Sequence, residues 1–288
     1  MATLPQERDW ALTPLAPRDV GIALEFLQGD PLVNVYLISR LRDEGTGPTG
    51  QTILIRCDGI PVALASLSTN VVLAGNEQTS LSLREEAMAR LGDRILARMT
   101  PVRAIISDAR LVDPLWRRIE CHLAPPTVIR LGQPVYAIPP GPTDFPDLIT
   151  LRYSTERDLH ALVPACAAMH LEEVGINPLE RDAVGYRQRV RELIERKRSL
   201  VVTDRGRILF KCEFSAITDE AVQIMGVWTA PSERRRGLAR RGMTEVCGHI
   251  LRQGKAVTLF VNDFNIPAVR LYESLGFHQI GTNRALIW

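Results

Sequence analysis

Long apolar runs are missing from this sequence, although 45% of its 288 residues are hydrophobic. No stretch approaches the roughly 20 apolar residues that a membrane-spanning helix needs. The N-terminal segment MATLPQERDW also lacks the apolar core of a secretory signal peptide. We therefore expect a cytoplasmic protein with no membrane partner.

The sequence also has no closely spaced pair of cysteines, and its formal net charge is only +2. The five cysteines show no CxxC pair and no zinc-ligand spacing, so we expect neither a metal site nor a disulfide framework. Lysine and arginine total 35 against 33 acidic residues, which gives no bulk attraction for nucleic acid. The basic stretch 181–198 has apolar residues at helical spacing, which is typical of a helix with a solvated basic face. We predict no nucleic-acid partner.

A proline-rich segment divides the chain into near-equal halves. Residues 138–146 (IPPGPTDFP) contain four prolines and a glycine, and such a segment cannot continue a helix or a central strand. The predicted domains are 1–140 and 148–288. Both halves show the same element order: two helices, three strands, a helix, a strand, a helix and closing strands. The predicted fold class is α/β (α+β), with a mixed, mostly antiparallel central sheet flanked by helices in each domain.

Five arginines crowd into residues 234–241, where a strand pattern gives way to a helical one. Cationic side chains at a helix N-terminus oppose its dipole by roughly 0.3–1 kcal/mol each. The cluster therefore makes better sense around a bound anion than as a solvated charge run, which is the alternative. Gly237 would let the backbone approach phosphate closely, and the first N–H groups of the helix would point at it. The matching turn of the first half, 74–80 (AGNEQTS), has no basic residue.

Gly226 interrupts the strand that leads into this turn. Glycine inside a strand often marks a bulge, although it can also be tolerated for packing. A bulge here would splay the strand from its neighbour and free the backbone of Val227, Trp228 and Thr229. Those groups could pair with an extended, amide-bearing ligand as an added strand would.

Two segments carry a family resemblance. Residues 234–239 (RRRGLA) resemble the acetyl-CoA loop Q/R-x-x-G-x-G/A of the GCN5-related N-acetyltransferase (GNAT) superfamily. Residues 262–277 (NDFNIPAVRLYESLGF) resemble the strand end and helix that follow it in that family. The similarity covers about 220–281, and the element order extends it to about 148–288. The two-half layout further resembles actinobacterial GNAT proteins in which the N-terminal GNAT-like domain is degenerate.

The resemblance implies two tandem GNAT-like domains, 1–140 without a phosphate loop and 148–288 binding acetyl-CoA. It implies an acyl-CoA-dependent N-acyltransferase, most simply an N-acetyltransferase. The acetyl group would pass from acetyl-CoA, as co-substrate, to a primary amine by direct attack in a ternary complex without metal. The implied partner is a small-molecule or peptide amine. The implied cofactor-binding residues are Val227, Trp228, Thr229, Arg234, Arg235, Arg236, Gly237, Leu238, Ala239, Arg240 and Asn265.

The resemblance also implies that Tyr272 is the general acid for the leaving CoA thiolate, a role that suits a hydroxyl with a pKa near 10. A core tyrosine is the alternative. The base is less defined, because Gln223 stands where these enzymes often carry glutamate, and glutamine cannot accept a proton. Glu213 on the adjacent strand is the first substitute, Glu172 and Glu173 are the second, and a water relay is equally compatible.

Gln223 keeps a second function open, that of a catalytically silent acyl-CoA-binding sensor or scaffold. No motif in the sequence singles out the acceptor amine or sets an oligomeric state.

Overall fold

The computed structural model describes residues 8–45, 51–97, 101–142, 144–146 and 151–288, and the chain divides into two compact units. The first unit comprises Met1–Tyr136, Phe260–Arg270 and His278–Trp288, and the second comprises Ala137–Leu259 and Leu271–Phe277. Parts of two predicted segments lie outside the described residues: positions 1–7 of the N-terminal segment and positions 148–150 of the predicted second domain.

The described part of the first unit contains a sheet in the order β1-β2-β3-β4-β5-β12-β6 and four complete α-helices. Its strands pair antiparallel from β1 to β4, β4 pairs parallel with β5, and β5 pairs antiparallel with β12. In chain order the elements are β1 (Trp10–Pro14), α1 (Val20–Gln28), α2 (Val35–Glu44), β2 (Thr52–Cys57), β3 (Ile60–Leu67), β4 (Asn70–Ala74), α3 (Leu81–Leu96), β5 (Ala104–Asp108), α4 (Ala109–Ile119) and β6 (Val128–Ile138), with the C-terminal β12 (His278–Ile287).

The second unit contains a sheet in the order β11-β10-β9-β8-β7. Strands β7 to β10 pair antiparallel, and β10 pairs parallel with β11. The elements are β7 (Arg152–Tyr153), α5 (Leu159–Val174), α6 (Pro178–Glu195), β8 (Ser199–Asp204), β9 (Arg207–Ile217), β10 (Ala221–Thr229), α7 (Leu238–Leu251) and β11 (Ala256–Phe260), followed by α8 (Ile266–Ser274), which is divided between the two units. The predicted fold class, a mixed and mostly antiparallel sheet flanked by helices, is confirmed.

Apolar helix faces cover the second sheet, as their spacing predicts. Helices α5 and α6 supply a core that includes Leu162, Val190 and the strand residue Trp228. Helix α7 buries apolar residues at helical spacing, which are Met243, Val246, Cys247, Ile250 and Leu251. A Cβ built on Gly242 of α7 would lie 2.6 Å from the Phe210 ring, so α7 packs closely on β9.

Two strand predictions differ from the structure. The sequence suggests a strand pair in 127–138 and another near 279–288, but each segment forms one continuous strand, β6 and β12. The Gly132 and Pro134 carbonyls each accept a backbone N–H bond, from Asp263 and Val261 respectively. Proline lacks only the donor, so β6 continues through it where its carbonyl is what the pairing requires.

Among the described residues, no helix combines the length and the apolar character that crossing a bilayer requires.

The entry into α5 is fixed by a charged capping arrangement. Asp158 accepts bonds from the Thr155 backbone N–H at 2.7 Å and from the Arg152 guanidinium at 2.7 and 2.8 Å. The Arg152 guanidinium and then the Thr155 bonds lower the pKa of the Asp158 carboxyl to about 2, against the opposing effect of burial. The ionised carboxylate therefore ties the start of α5 to the edge strand β7.

Asp158→Asn is expected to destabilise the protein by about 1 kcal/mol at neutral pH, because it weakens both the cap and the ion pair. An unfolded aspartate titrates near pH 3.9, so the stabilisation is complete above that pH and is lost as the pH falls through about 2. Denaturation midpoints measured from pH 7 downward should converge for variant and wild type. Asp204→Asn is the matched control, since Asp204 lies 3.9 Å from Arg207 and is half-exposed. A constant difference at every pH would contradict this assignment.

Candidate active site

The predicted bulge at Gly226 is confirmed. Met225 pairs with Glu213 and Trp228 with Lys211, so one extra residue of β10 lies between them. Gly226 has φ +60°, in the left-handed region that favours glycine. On its other edge, β10 pairs with β11 only over Ala221–Gln223. Among the described strands, none pairs with residues 224–229 on that side, which leaves a strand edge open to an extended ligand.

Helix α7 begins without a side-chain cap. Gly237 precedes it with φ +77°, and no heavy atom lies within 4 Å of a Cβ built there. The Arg241 N–H donates to the Gly237 carbonyl, so the N–H groups of residues 238–240 have no acceptor within the helix. Uncapped N–H groups with the helix dipole behind them form an anion site.

The arginines of this turn differ in their partners. Arg236 pairs with Glu233 at 2.9 Å, and Arg240 donates to the Ser274 hydroxyl at 2.6 Å. Arg235 is exposed, has φ +59°, and pairs with no described residue. The turn therefore carries cationic side chains at an exposed helix start, as the sequence predicts. Leu238 is buried and anchors the helix.

Arg234 makes a different set of contacts. Its guanidinium donates to both Glu172 carboxylate oxygens at 2.8 Å and to the Thr229 carbonyl at 3.0 Å. The Trp228 indole N–H also donates to Glu172, at 3.4 Å. The predicted loop arginine thus links the end of α5 to the end of β10.

Tyr272 lies on the buried side of α8, with 7% of its surface exposed. Its ring packs edge-to-face on Phe277 at 5.7 Å. Burial raises the pKa of the Tyr272 hydroxyl, and the Glu173 carboxylate raises it further, so the proton is retained at neutral pH. No described residue forms a hydrogen bond with this hydroxyl. The group can therefore donate a proton, and its neighbour Glu173 is one of the acidic residues singled out from the sequence.

The candidate base Glu213 is 4% exposed and forms an ion pair. Its Oε1 lies 2.5 Å from Nζ of Lys211, which is fully buried, and also accepts from the Cys166 thiol at 3.3 Å. Burial has the largest single effect on the pKa of Lys211 and lowers it, but the Glu213 carboxylate and the other groups around the ammonium together raise it by more, so the net shift is upward and the ammonium stays charged. Sequence reasoning missed Lys211; the signal available was its position two residues before Glu213 on one strand face.

The side chains of Gln223 and Asn265 both form hydrogen bonds with neighbouring residues of the protein. The Gln223 side-chain carbonyl accepts from the Ser215 hydroxyl at 2.8 Å, and the residue is buried. Asn265 precedes α8, and its side chain accepts from the Ala268 N–H at 3.4 Å. Asn265 belongs to the first unit, whereas the other predicted site residues belong to the second.

Comparison with known proteins identifies the fold. Residues 215–286 match the model of the family described as FR47-like protein. A GNAT-family acetyltransferase from Colwellia psychrerythraea superposes with a TM-score of 0.61 at 12% identity, over 97% of this chain and 99% of its own. A GNAT from Sphaerobacter thermophilus gives 0.55 at 19% identity, over 99% and 97%. A tandem GNAT protein from the clavulanic acid biosynthesis pathway gives 0.52 at 12% identity, over 98% of each chain. No curated protein matches the sequence significantly.

The chain has the GNAT fold. The resemblance inferred from its motifs is therefore confirmed, and at these identities the likeness concerns the fold.

The two GNAT-like units differ at the helix that follows the third strand of the shared element order. In the first unit Ser80 caps α3 by accepting from the Leu83 N–H at 3.4 Å. Side-chain hydrogen bonds also hold the loop that precedes α3. Asn34 donates to the Gly75 carbonyl of the loop, and Asn76 of the loop donates to the Phe26 carbonyl. The second unit has the uncapped glycine start instead. The two helix starts thus differ in that α3 has a side-chain cap and α7 has none.

Proposed function

We propose that the second unit is an acyl-CoA-dependent N-acyltransferase, most simply an N-acetyltransferase acting on a primary amine. The observation that carries this proposal is the uncapped start of α7, which comes after a strand whose edge toward β11 is unpaired over residues 224–229. One feature suits a pyrophosphate and the other suits the amide-bearing pantetheine arm. The GNAT fold of the chain supports the same cosubstrate.

In this proposal the backbone N–H groups of residues 237–240 hold the pyrophosphate, and Arg235, Arg236 and Arg240 neutralise its charge. The open edge at Val227–Thr229 aligns the pantetheine arm. Arg234 lies at the edge of the phosphate turn, where it forms an ion pair with Glu172.

Bound acetyl-CoA supplies an activated acetyl group whose C–S bond breaks as a C–N bond forms to the amine. Tyr272 donates its proton to the departing sulfur and regains one as the new amide nitrogen loses its second proton. A carboxylate accepts the first proton of the incoming ammonium, so that a neutral amine attacks. Among the three candidates, Glu173 is the one whose carboxylate acts electrostatically on Tyr272, which supports its choice as the base.

The second candidate function is a silent acyl-CoA sensor. The observation in its favour is that Gln223, buried and bonded to Ser215, replaces the family's frequent glutamate. A sensor would bind acyl-CoA through the same turn but would release no free thiol in the presence of amines.

Gly237→Glu is expected to weaken acetyl-CoA binding about 100-fold, or about 2.8 kcal/mol, because it adds bulk and negative charge at the phosphate turn. Isothermal titration calorimetry measures the affinity. Gly254→Glu is the matched control: Gly254 also has a positive φ (+74°) and open space around it, but lies beyond the other end of α7. Equal affinities of the two variants, or no binding by the folded wild type, would refute the proposed cofactor site.

Tyr272→Phe is expected to lower kcat by about 10²–10³-fold, the range for loss of a general acid. KM for acetyl-CoA should change by less than about threefold, since the ring remains in place. The assay is free-thiol release with the best acceptor from an amine panel. Tyr153→Phe is the control, because its hydroxyl is partly exposed and contacts His249 at 3.3 Å. A Tyr272→Phe enzyme with wild-type kcat would assign Tyr272 to the core alone.

Glu173→Gln is expected to lower kcat/KM for the amine by about 100-fold at pH 7. The rate should recover as the pH rises, because the amine then loses its proton to solvent before binding. The pH–rate profile distinguishes the candidates: if Glu213→Gln instead of Glu173→Gln shows this recovery, Glu213 is the base. Glu180→Gln, an exposed change on α6, should leave the profile unchanged.

A further inference from the structure

Lys211 and Glu213 form a buried ion pair that the reaction scheme above does not use. Both side chains project from β9 on the face covered by α5, where Glu213 Oε1 accepts from Lys211 Nζ at 2.5 Å and from the Cys166 thiol at 3.3 Å. Lys211 is 0% exposed. A fully buried ammonium needs further acceptors besides one carboxylate.

The second acceptor of Lys211 is the bulge itself. Nζ donates to the Gly226 carbonyl at 3.0 Å. In the strand register Glu213 is opposite Met225 and Lys211 is opposite Trp228, so the pair faces the two residues that flank the bulge. A Cβ on Gly226 would lie 3.0 Å from Glu213 Cδ and 3.2 Å from Lys211 Nζ. The absence of a Cβ at position 226 therefore leaves the space in which the Lys211 and Glu213 side chains meet.

Stability alone is a weak explanation for this arrangement. Replacing a buried ion pair with apolar side chains of similar volume is often neutral or stabilising. Apolar side chains could not, however, hold the Gly226 carbonyl. Because residues 224–229 have no partner in β11, that carbonyl bond is a specific restraint on the backbone at the bulge.

We propose that Lys211, oriented by Glu213, is a positioning residue for the acyl-CoA arm. By holding the Gly226 carbonyl it keeps β10 bulged, so that the backbone of Val227–Thr229 is aligned with the acyl-pantetheine group. This inference rests on the proposed acyl-CoA function. It assigns Glu213 to the support of the bulge, with no transfer of a proton to or from the substrate.

The test uses the full chain and two ligands. Calorimetry with acetyl-CoA probes the arm and the nucleotide together, whereas 3′-phospho-ADP probes only the phosphate turn. The variant Lys211→Met/Glu213→Leu removes both charges, so no unpaired charge is left buried. It should bind acetyl-CoA at least tenfold more weakly than wild type and 3′-phospho-ADP within about twofold. Unchanged affinity for acetyl-CoA, or parallel losses for both ligands, would overturn the inference.

Gly226→Ala provides an independent variant in case the double variant does not fold. It keeps both charges but forces its Cβ against them, and the same selective loss is expected. Gly206→Ala is the matched control, since Gly206 also has a positive φ (+78°) but has no heavy atom within 4 Å of a built Cβ. If Gly226→Ala and Gly206→Ala bind acetyl-CoA equally well, the bulge does not position the arm.

Hydrogen exchange of the free protein separates this inference from the proposed function. Amides of residues 224–229 should exchange at least tenfold faster in Lys211→Met/Glu213→Leu than in wild type, with β8 unchanged. A wild type that binds neither ligand would refute the proposed function. Unaltered exchange in 224–229 would refute the restraint by Lys211, whatever the protein binds.

Discussion

A single hydrogen bond from a buried lysine reaches the carbonyl at which β10 leaves regular pairing. That bond, from Lys211 to Gly226, is supported by the Glu213 carboxylate. Removing one partner of a buried ion pair typically costs about 3–5 kcal/mol, because the remaining charge is left uncompensated. The two charges must therefore stay paired within the surrounding core. The bulge lies in the part of β10 that is unpaired with β11 and that leads toward the turn before α7.

Two units with the same element order differ in how one helix begins. At the start of α3 a serine side chain accepts a backbone N–H bond, whereas the glycine before α7 provides no side chain for the first N–H groups of that helix. The difference amounts to whether the protein itself or a ligand satisfies the same backbone N–H groups. Loop contacts reinforce it, since the side chains of Asn34 and Asn76 bond backbone carbonyls around the loop of the first unit. A few residues at a turn thus decide how the helix start is satisfied, while the surrounding fold is retained.

Much of this organisation follows from local sequence. The helix faces, the division into two similar halves, the bulge at Gly226 and the arginine turn before α7 depend on residues that are close in the chain. Periodicity and glycine conformation report such features directly. The GNAT fold was recognisable for the same reason, because its two motifs are short and consecutive. The continuous course of β6 was not predictable, since Gly132 and Pro134 resemble a turn until their carbonyls are seen to be bonded.

The amino-acid sequence by itself determined the fold class, the helix start on Gly237 and the candidate residues of the site. Only the tertiary structure decided which of those residues are already engaged. Arg234 meets Glu172 across 62 residues of chain, and Lys211 reaches Gly226 across 15. The C-terminal strand β12 pairs with β5 of the first unit, which no local pattern specifies. Long-range ion pairs and strand partners are set by the packing of distant segments. The spacing of residues along the sequence does not show which segments pack together.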